Sequence, residues 1–120
     1  MNIPIKTKIG TFYKALLTLM NKFPPIRGLR PRELEVLAEI MLQNYENRAI
    51  ENFTKRQRFI FSTANRQEMR ERLNLSEGAF NNYIKNLKKH GVITKDNTLL
   101  RFLDIIPYNK YEFKIDFTIV

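Results

Sequence analysis

Apolar residues recur at helical spacing in four stretches of the chain and alternate in two others, and these two periods predict its elements. Ile3, Ile5 and Ile9, separated by Lys6 and Lys8, predict a short strand with Pro4 at an edge position. From Thr11 onward, Phe12, Ala15, Leu16, Leu19, Met20 and Phe23 fall on one side of a helical wheel, and Pro24 and Pro25 end that helix. Pro31 suits a first helical turn, Glu33 and Glu35 complement the helix dipole, and Leu34, Val36, Leu37, Ile40, Met41 and Tyr45 form a wide apolar stripe, predicting a helix over 31–45. The polar stretch 46–55 reads as a loop, and Phe59, Ile60 and Phe61 as a short extended piece.

Ser62 or Thr63 caps a further helix whose apolar positions are Ala64, Met69 and Leu73, ending near Asn74. Ser76 is a second N-cap. Behind it Ala79, Phe80, Tyr83, Ile84 and Leu87 share one helical face up to His90, and Gly91 stands where a helix takes its C′ residue. Val92 and Ile93, the turn residues Lys95, Asp96 and Asn97, and then Leu99–Leu103 predict a β-hairpin. Tyr111, Phe113, Ile115, Phe117 and Ile119 alternate with polar residues and give the clearest strand pattern in the chain.

At 120 residues and 43% apolar content, the chain is long enough for one small core and is read as a single domain. The domain divides into a basic arm with its helix (1–30), a central core (31–103) and a C-terminal strand (104–120). There is no cysteine and a single histidine, which leaves no thiol chemistry or imidazole cluster for a metal, so no cofactor is expected. The apolar run from Ala15 to Met20, broken by Thr18, is too short to span a bilayer, so no membrane partner is expected. The arm is acid-free and basic, but it lacks arginine before Arg27 and has no serine, so it reads as a folded helix rather than a transit peptide.

The formal net charge of +9 points to a polyanionic partner, and its distribution sharpens that point. Residues 1–30 contribute +6, residues 31–61 are neutral, residues 62–95 contribute +4 and the remainder −1. Two basic regions therefore flank a neutral one, and together they suit a phosphate backbone if they face the same way.

The segment RQEMRERLNLSEGAFNNYIKNLKKHGVI (66–93) resembles the core of winged helix-turn-helix regulators and of plasmid or phage replication proteins. The likeness rests on Met69 and Leu73 in the first helix, Leu75 and Ser76 in the turn, Ala79, Phe80, Ile84 and Leu87 in the second helix, and Gly91 before two β-branched residues. The resemblance covers about residues 31–103. It implies an α+β fold: a mainly helical winged helix-turn-helix core, a β-hairpin wing, and extra N- and C-terminal strands. It also implies that helix 77–90 enters a DNA major groove. The expected DNA-binding residues are Ser76, Glu77, Asn81, Asn82, Lys85, Lys88 and Lys89, with Arg66 from the preceding helix and Lys95 from the wing. Asparagine can bond adenine through two atoms, and lysine guanine or a phosphate. The expected wing around Lys95–Arg101 also contains Asp96, Leu99 and Leu100, making it short and weakly basic. A second likeness, of GLRPRELEVLAEI to the first helix of LuxR-type DNA-binding domains, is local, because that family reaches its helix-turn-helix almost at once.

Catalytic patterns are missing. Gly10, Gly28, Gly78 and Gly91 form no phosphate-cradling loop, and no Ser, His and acid set is evident. His90 suits the end of a helix, and the i,i+4 pair Glu35 and Glu39 suits a solvated face. The chain is therefore expected to be a non-enzymatic protein of the bacterial cytoplasm, binding duplex DNA and no small-molecule substrate. The alternative expectation is a structural part of a tailed-bacteriophage virion. In that reading the chain assembles with itself or with other phage proteins, and Tyr111, Phe113, Ile115, Phe117 and Ile119 form an oligomer interface by pairing at a strand edge.

Overall fold

The computed structural model describes residues 2–6, 9–24, 26–106 and 112–116, with side-chain surroundings for 10–24 and 26–106. Its elements run β1 (Asn2–Lys6), α1 (Ile9–Met20), α2 (Pro31–Glu46), α3 (Phe53–Ile60), α4 (Thr63–Arg72), α5 (Glu77–Lys89), a 3₁₀ turn (Arg101–Leu103) and β2 (Glu112–Asp116). Helix α2 is the centre of the fold, packing against α1, α3 and α5. Pro31 opens it, and the carboxylate of Glu33 accepts the backbone N–H of Arg30 at 2.9 Å, satisfying one of the donors a helix start leaves open. Leu34, Val36, Leu37, Ile40 and Met41 are buried, each contributing about 1.5–3 kcal/mol.

The inward face of α1 is rotated from the expected one. Phe12, Tyr13, Leu16 and Leu17 are buried, while Ala15 and Phe23 are exposed. The Tyr13 hydroxyl donates to the Ile105 carbonyl at 2.7 Å, tying α1 to the segment after the 3₁₀ turn. Burial, reinforced by nearby Tyr45 and Asp104, holds its phenol well above the usual tyrosine range, so it remains a donor.

Residues 53–60 form a helix, where the sequence pattern pointed to a loop and an extended piece. Asn52 caps it by accepting from the Lys55 N–H at 3.0 Å. Its inward positions are Phe53, Arg56, Gln57 and Ile60, an i, i+3, i+4, i+7 set with two polar members, and this is why apolar periodicity does not reveal it.

Arg56 and Gln57 belong to a buried polar network centred on Asn44 of α2. Asn44 Oδ1 accepts from Arg56 Nε at 2.7 Å and from Gln57 Nε2 at 3.0 Å, while Asn44 Nδ2 donates to Asp104 at 2.7 Å. Asp104 receives Arg56 Nη2 through both oxygens, at 3.0 and 3.2 Å, and Arg56 Nη1 reaches the Ile50 carbonyl at 2.8 Å. Gln57 Oε1 accepts the Leu99 N–H at 3.0 Å. Each polar side chain of this network thus has partners, as interior burial requires.

The expectation of an α+β winged core with a hairpin wing is corrected: the described fold is built on five α-helices, and β1 and β2 pair only with each other. Where a wing was expected, a single bridge joins Ile93 and Leu99, flanked by bonds from the Thr94 N–H to Thr98 (2.8 Å) and from the Leu100 N–H to Val92 (2.9 Å). The other edge of Leu99 is taken by Gln57, and the chain then coils into the 3₁₀ turn that buries Leu103, so no second strand develops. Nor do the termini extend a wing sheet. Residues 2–6 and 112–116 run antiparallel as a two-stranded ribbon, with Asn2 opposite Asp116 and Lys6 opposite Glu112. Among the described residues, no helix is long and apolar enough to cross a membrane.

Asp104→Ala removes the partner of a buried guanidinium and should lower the unfolding free energy by about 3 kcal/mol in urea titrations, whereas Lys55→Ala on the exposed side of α3 should change it by under about 0.5 kcal/mol. Equal, small losses for both variants would show that the network does not hold the fold.

Candidate nucleic-acid interface

Helix α4 is set by its start. The Ser62 hydroxyl accepts the Asn65 N–H at 3.4 Å and donates to the Phe59 carbonyl at 2.7 Å, while the buried Asn65 side chain donates to Ile60 O at 2.8 Å. Asn65 and Met69 face inward, and the expected inward Ala64 is exposed. At its other end, the Asn74 N–H bonds Glu71 O at 3.1 Å and the Leu75 N–H bonds Arg70 O at 2.8 Å, the double closure of a Schellman motif. Asn74 occupies the left-handed region at φ 55°, a conformation asparagine tolerates better than most residues. Arg32 of α2 donates to the Leu73 carbonyl at 2.7 Å and fixes this turn against the core.

Ser76 then caps α5, accepting the Ala79 N–H at 3.2 Å. Phe80, Ile84 and Leu87 are buried, holding α5 against α2. The helix closes through a second Schellman motif, with Gly91 at φ 77° and bonds from the Val92 N–H to Leu87 O and from the Gly91 N–H to Lys88 O. His90 turns back on its own helix, its Nδ1 lying 3.0 Å from Asn86 O. Because a carbonyl only accepts, Nδ1 carries the proton.

With one face buried, the other is defined. Glu77, Gly78, Asn81, Asn82, Lys85 and Lys89 are exposed, and from Gly78 onward this row carries neither a carboxylate nor an apolar side chain. Ser76 and Glu77 lie at its beginning, and Lys88 is half-buried at its side. Arg66 joins the row from α4, donating from Nη2 to Asn81 Oδ1 at 2.9 Å with its guanidinium carbon 5.9 Å from the centre of the Phe80 ring. Lys95 is exposed in the tight turn after the Ile93 bridge. Of the expected oligomer interface, Tyr111, Phe117 and Ile119 lie outside the described residues. For Phe113 and Ile115 only the backbone register, opposite Ile5 and Ile3, is described.

Sequence reasoning missed Arg70. A cleft of about 330 Å³ between α4 and α5 is lined by Thr63, Arg66, Gln67, Arg70, Glu77, Phe80 and Asn81. Arg70 is half-buried there, and its guanidinium forms no ion pair among the described residues. Thr63, Arg66, Gln67 and Arg70 stand at i, i+3, i+4 and i+7, a signal that was available in the sequence but obscured by the alternating charges of this helix.

The nearby acids are mostly engaged elsewhere. Arg72 holds Glu39, Glu46 and Glu68 at 3.2–3.4 Å, and Glu35 pairs with Arg32 and Lys14. The Arg32 hydrogen bond, aided by Lys14, holds Glu35 below the usual glutamate range, whereas burial pushes Glu39 up. Burial works against the charge on Arg72, but the surrounding carboxylates outweigh it. Lys85, Lys88 and Lys89 form no ion pair among the described residues, so the α5 face stays positive. Those residues contain no group of three His, Asp or Glu side chains placed to hold a metal ion. No family model, curated protein or solved structure matches this chain.

Ser76→Ala should cost about 1 kcal/mol in thermal or urea unfolding and speed amide exchange at Ala79, the donor it leaves open. Unchanged exchange at Ala79 would show that the cap does not organise this end of α5.

Proposed function

We propose that this protein binds duplex DNA by placing the outer face of α5 in the major groove. The observation that carries the reading is the exposed row Asn81, Asn82, Lys85 and Lys89, free of carboxylates, on a helix whose other face is buried and whose entry turn is fixed by Arg32 and Ser76. Two adjacent amides supply donors and acceptors for base edges, and the lysines follow with charge. Asn82 has neither amide group engaged by a described residue, so it is the residue suited to bond adenine through both N6 and N7. Arg70, charged and uncommitted in the cleft beside the row, supplies a contact to the sugar-phosphate backbone. Phosphate contacts position the protein while base contacts select the sequence, and Lys89 and Arg70 take the first role.

A salt titration of duplex binding tests this reading. The observed affinity should fall linearly on logarithmic axes, and Lys89→Ala or Arg70→Gln should each reduce the slope by about 1 without changing the preferred sequence. Asn82→Ala should cost about 1–3 kcal/mol on the preferred site and relax selection at one base. Parent-like affinity and selectivity in all three variants would exclude α5 as the reading helix.

A further inference from the structure

Asn81 and Asn82 are neighbours of the same residue type on one exposed face, but the structure does not leave them equivalent. Arg66 Nη2 donates to Asn81 Oδ1 at 2.9 Å, and the Arg66 side chain is half-buried beside Phe80, which limits how far it can withdraw. Asn82 has no such tie among the described residues.

That single bond changes what Asn81 offers to a base. To grip adenine, an asparagine must accept from the N6 amino group through Oδ1 and donate to N7 through Nδ2 at the same time. At Asn81 the oxygen already accepts from a guanidinium, whose charge opposes a second donor such as the adenine amino group. Beside the one lone pair left on Asn81 Oδ1 stand the two Nδ2 hydrogens and the remaining N–H groups of Arg66, so the combined surface is dominated by donors. Among the base pairs, guanine alone shows two adjacent acceptors, N7 and O6, on its major-groove edge. Cytosine presents a donor there and adenine one donor beside one acceptor, so both match a donor-dominated surface less well than guanine does.

We infer that Arg66 is a specificity-determining positioning residue: by holding Asn81 Oδ1 it turns Asn81 into a reader of guanine, next to an Asn82 that reads adenine. The inference rests on the major-groove reading of α5 and adds the base chosen at one position. Glu77, the carboxylate lining the same cleft, is exposed at the helix start and is not bonded to Arg66 in the structure, so Arg66 stays committed to Asn81.

The test is a binding selection from duplexes randomised over a short window, performed with the full chain, with Arg66→Ala, with Arg66→Lys and with Asn81→Ala. The parent should select guanine at one position beside a selected adenine. Arg66→Ala frees Asn81 Oδ1 and should move that position from guanine towards adenine, a change of about tenfold in relative preference, while selection at the Asn82 position stays as it was. Arg66→Lys keeps a cationic donor and should retain guanine, and Asn81→Ala should weaken selection at that position without turning it towards adenine. A fold change in overall affinity with no change in base preference in Arg66→Ala would overturn the inference and leave the groove reading standing. Selection by the parent of adenine at both positions would do the same. If the parent binds no duplex, the groove reading and the inference fall together. In the free proteins, the side-chain amide resonances of Asn81 should shift in Arg66→Ala and those of Asn82 should not; unshifted Asn81 resonances would overturn the positioning role whatever the DNA result.

Discussion

The arrangement of this protein depends on the side chain of Asn44. It is wholly buried on the central helix, yet it holds Arg56 and Gln57 of α3 with its oxygen and Asp104 with its nitrogen. Separate stretches of chain are thereby referred to one point. A charged pair in such a place adds little net stability compared with apolar packing, but misplacing any member leaves a charge or amide unsatisfied, and the penalty selects one arrangement over its near competitors. The chosen arrangement propagates. The end of α3 provides the carbonyls of Phe59 and Ile60 that fix Ser62 and Asn65, these orient α4, and α4 delivers the turn that presents α5.

A second sorting occurs on the surface, and it is electrostatic. Arg72 gathers three carboxylates between α2 and α4, and Arg32 takes Glu35 while also holding the Leu73 carbonyl. Exposed pairs of this kind contribute little to stability one by one. Their effect on the field is larger: acids are neutralised close to where they lie, and the lysines of α5 keep their charge unopposed. The positive charge of this face is local: Lys85, Lys88 and Lys89 form no ion pair among the described residues, while Glu35, Glu39, Glu46 and Glu68 are paired with Lys14, Arg32 and Arg72.

The parts of the fold that could be read from the sequence are those governed by a single local rule. The apolar stripe of α2, the serine and glycine that bound α5, and the exposed amides and lysines between them follow from spacing and capping alone. Helix α3 was hidden because its inward face is half polar, and only knowledge of Asn44 and Asp104 shows that Arg56 and Gln57 belong inside. The rotated face of α1 had a similar origin, since Tyr13 is drawn inward by a carbonyl 92 residues away. The hairpin stays at one bridge because the chain coils into the 3₁₀ turn Arg101–Leu103 directly after the Leu100 N–H bonds Val92 O. In the candidate interface, the row on α5 was legible, the face of α4 that carries Arg70 was obscured by alternating charges, and the bond from Arg66 to Asn81 is a tertiary fact.

The central claim is that α5, held in this pose, is the surface that meets DNA. Its most direct measurement is a map of amide and side-chain resonance shifts in the labelled protein as a mixed-sequence duplex is added. The account predicts that the largest shifts fall on the backbone of 76–85 and on the side-chain amides of Asn81 and Asn82, with lesser ones at Arg66 and Arg70. Shifts confined to the basic turn around Lys22, Arg27 and Arg30, or to the 112–116 strand, would contradict it.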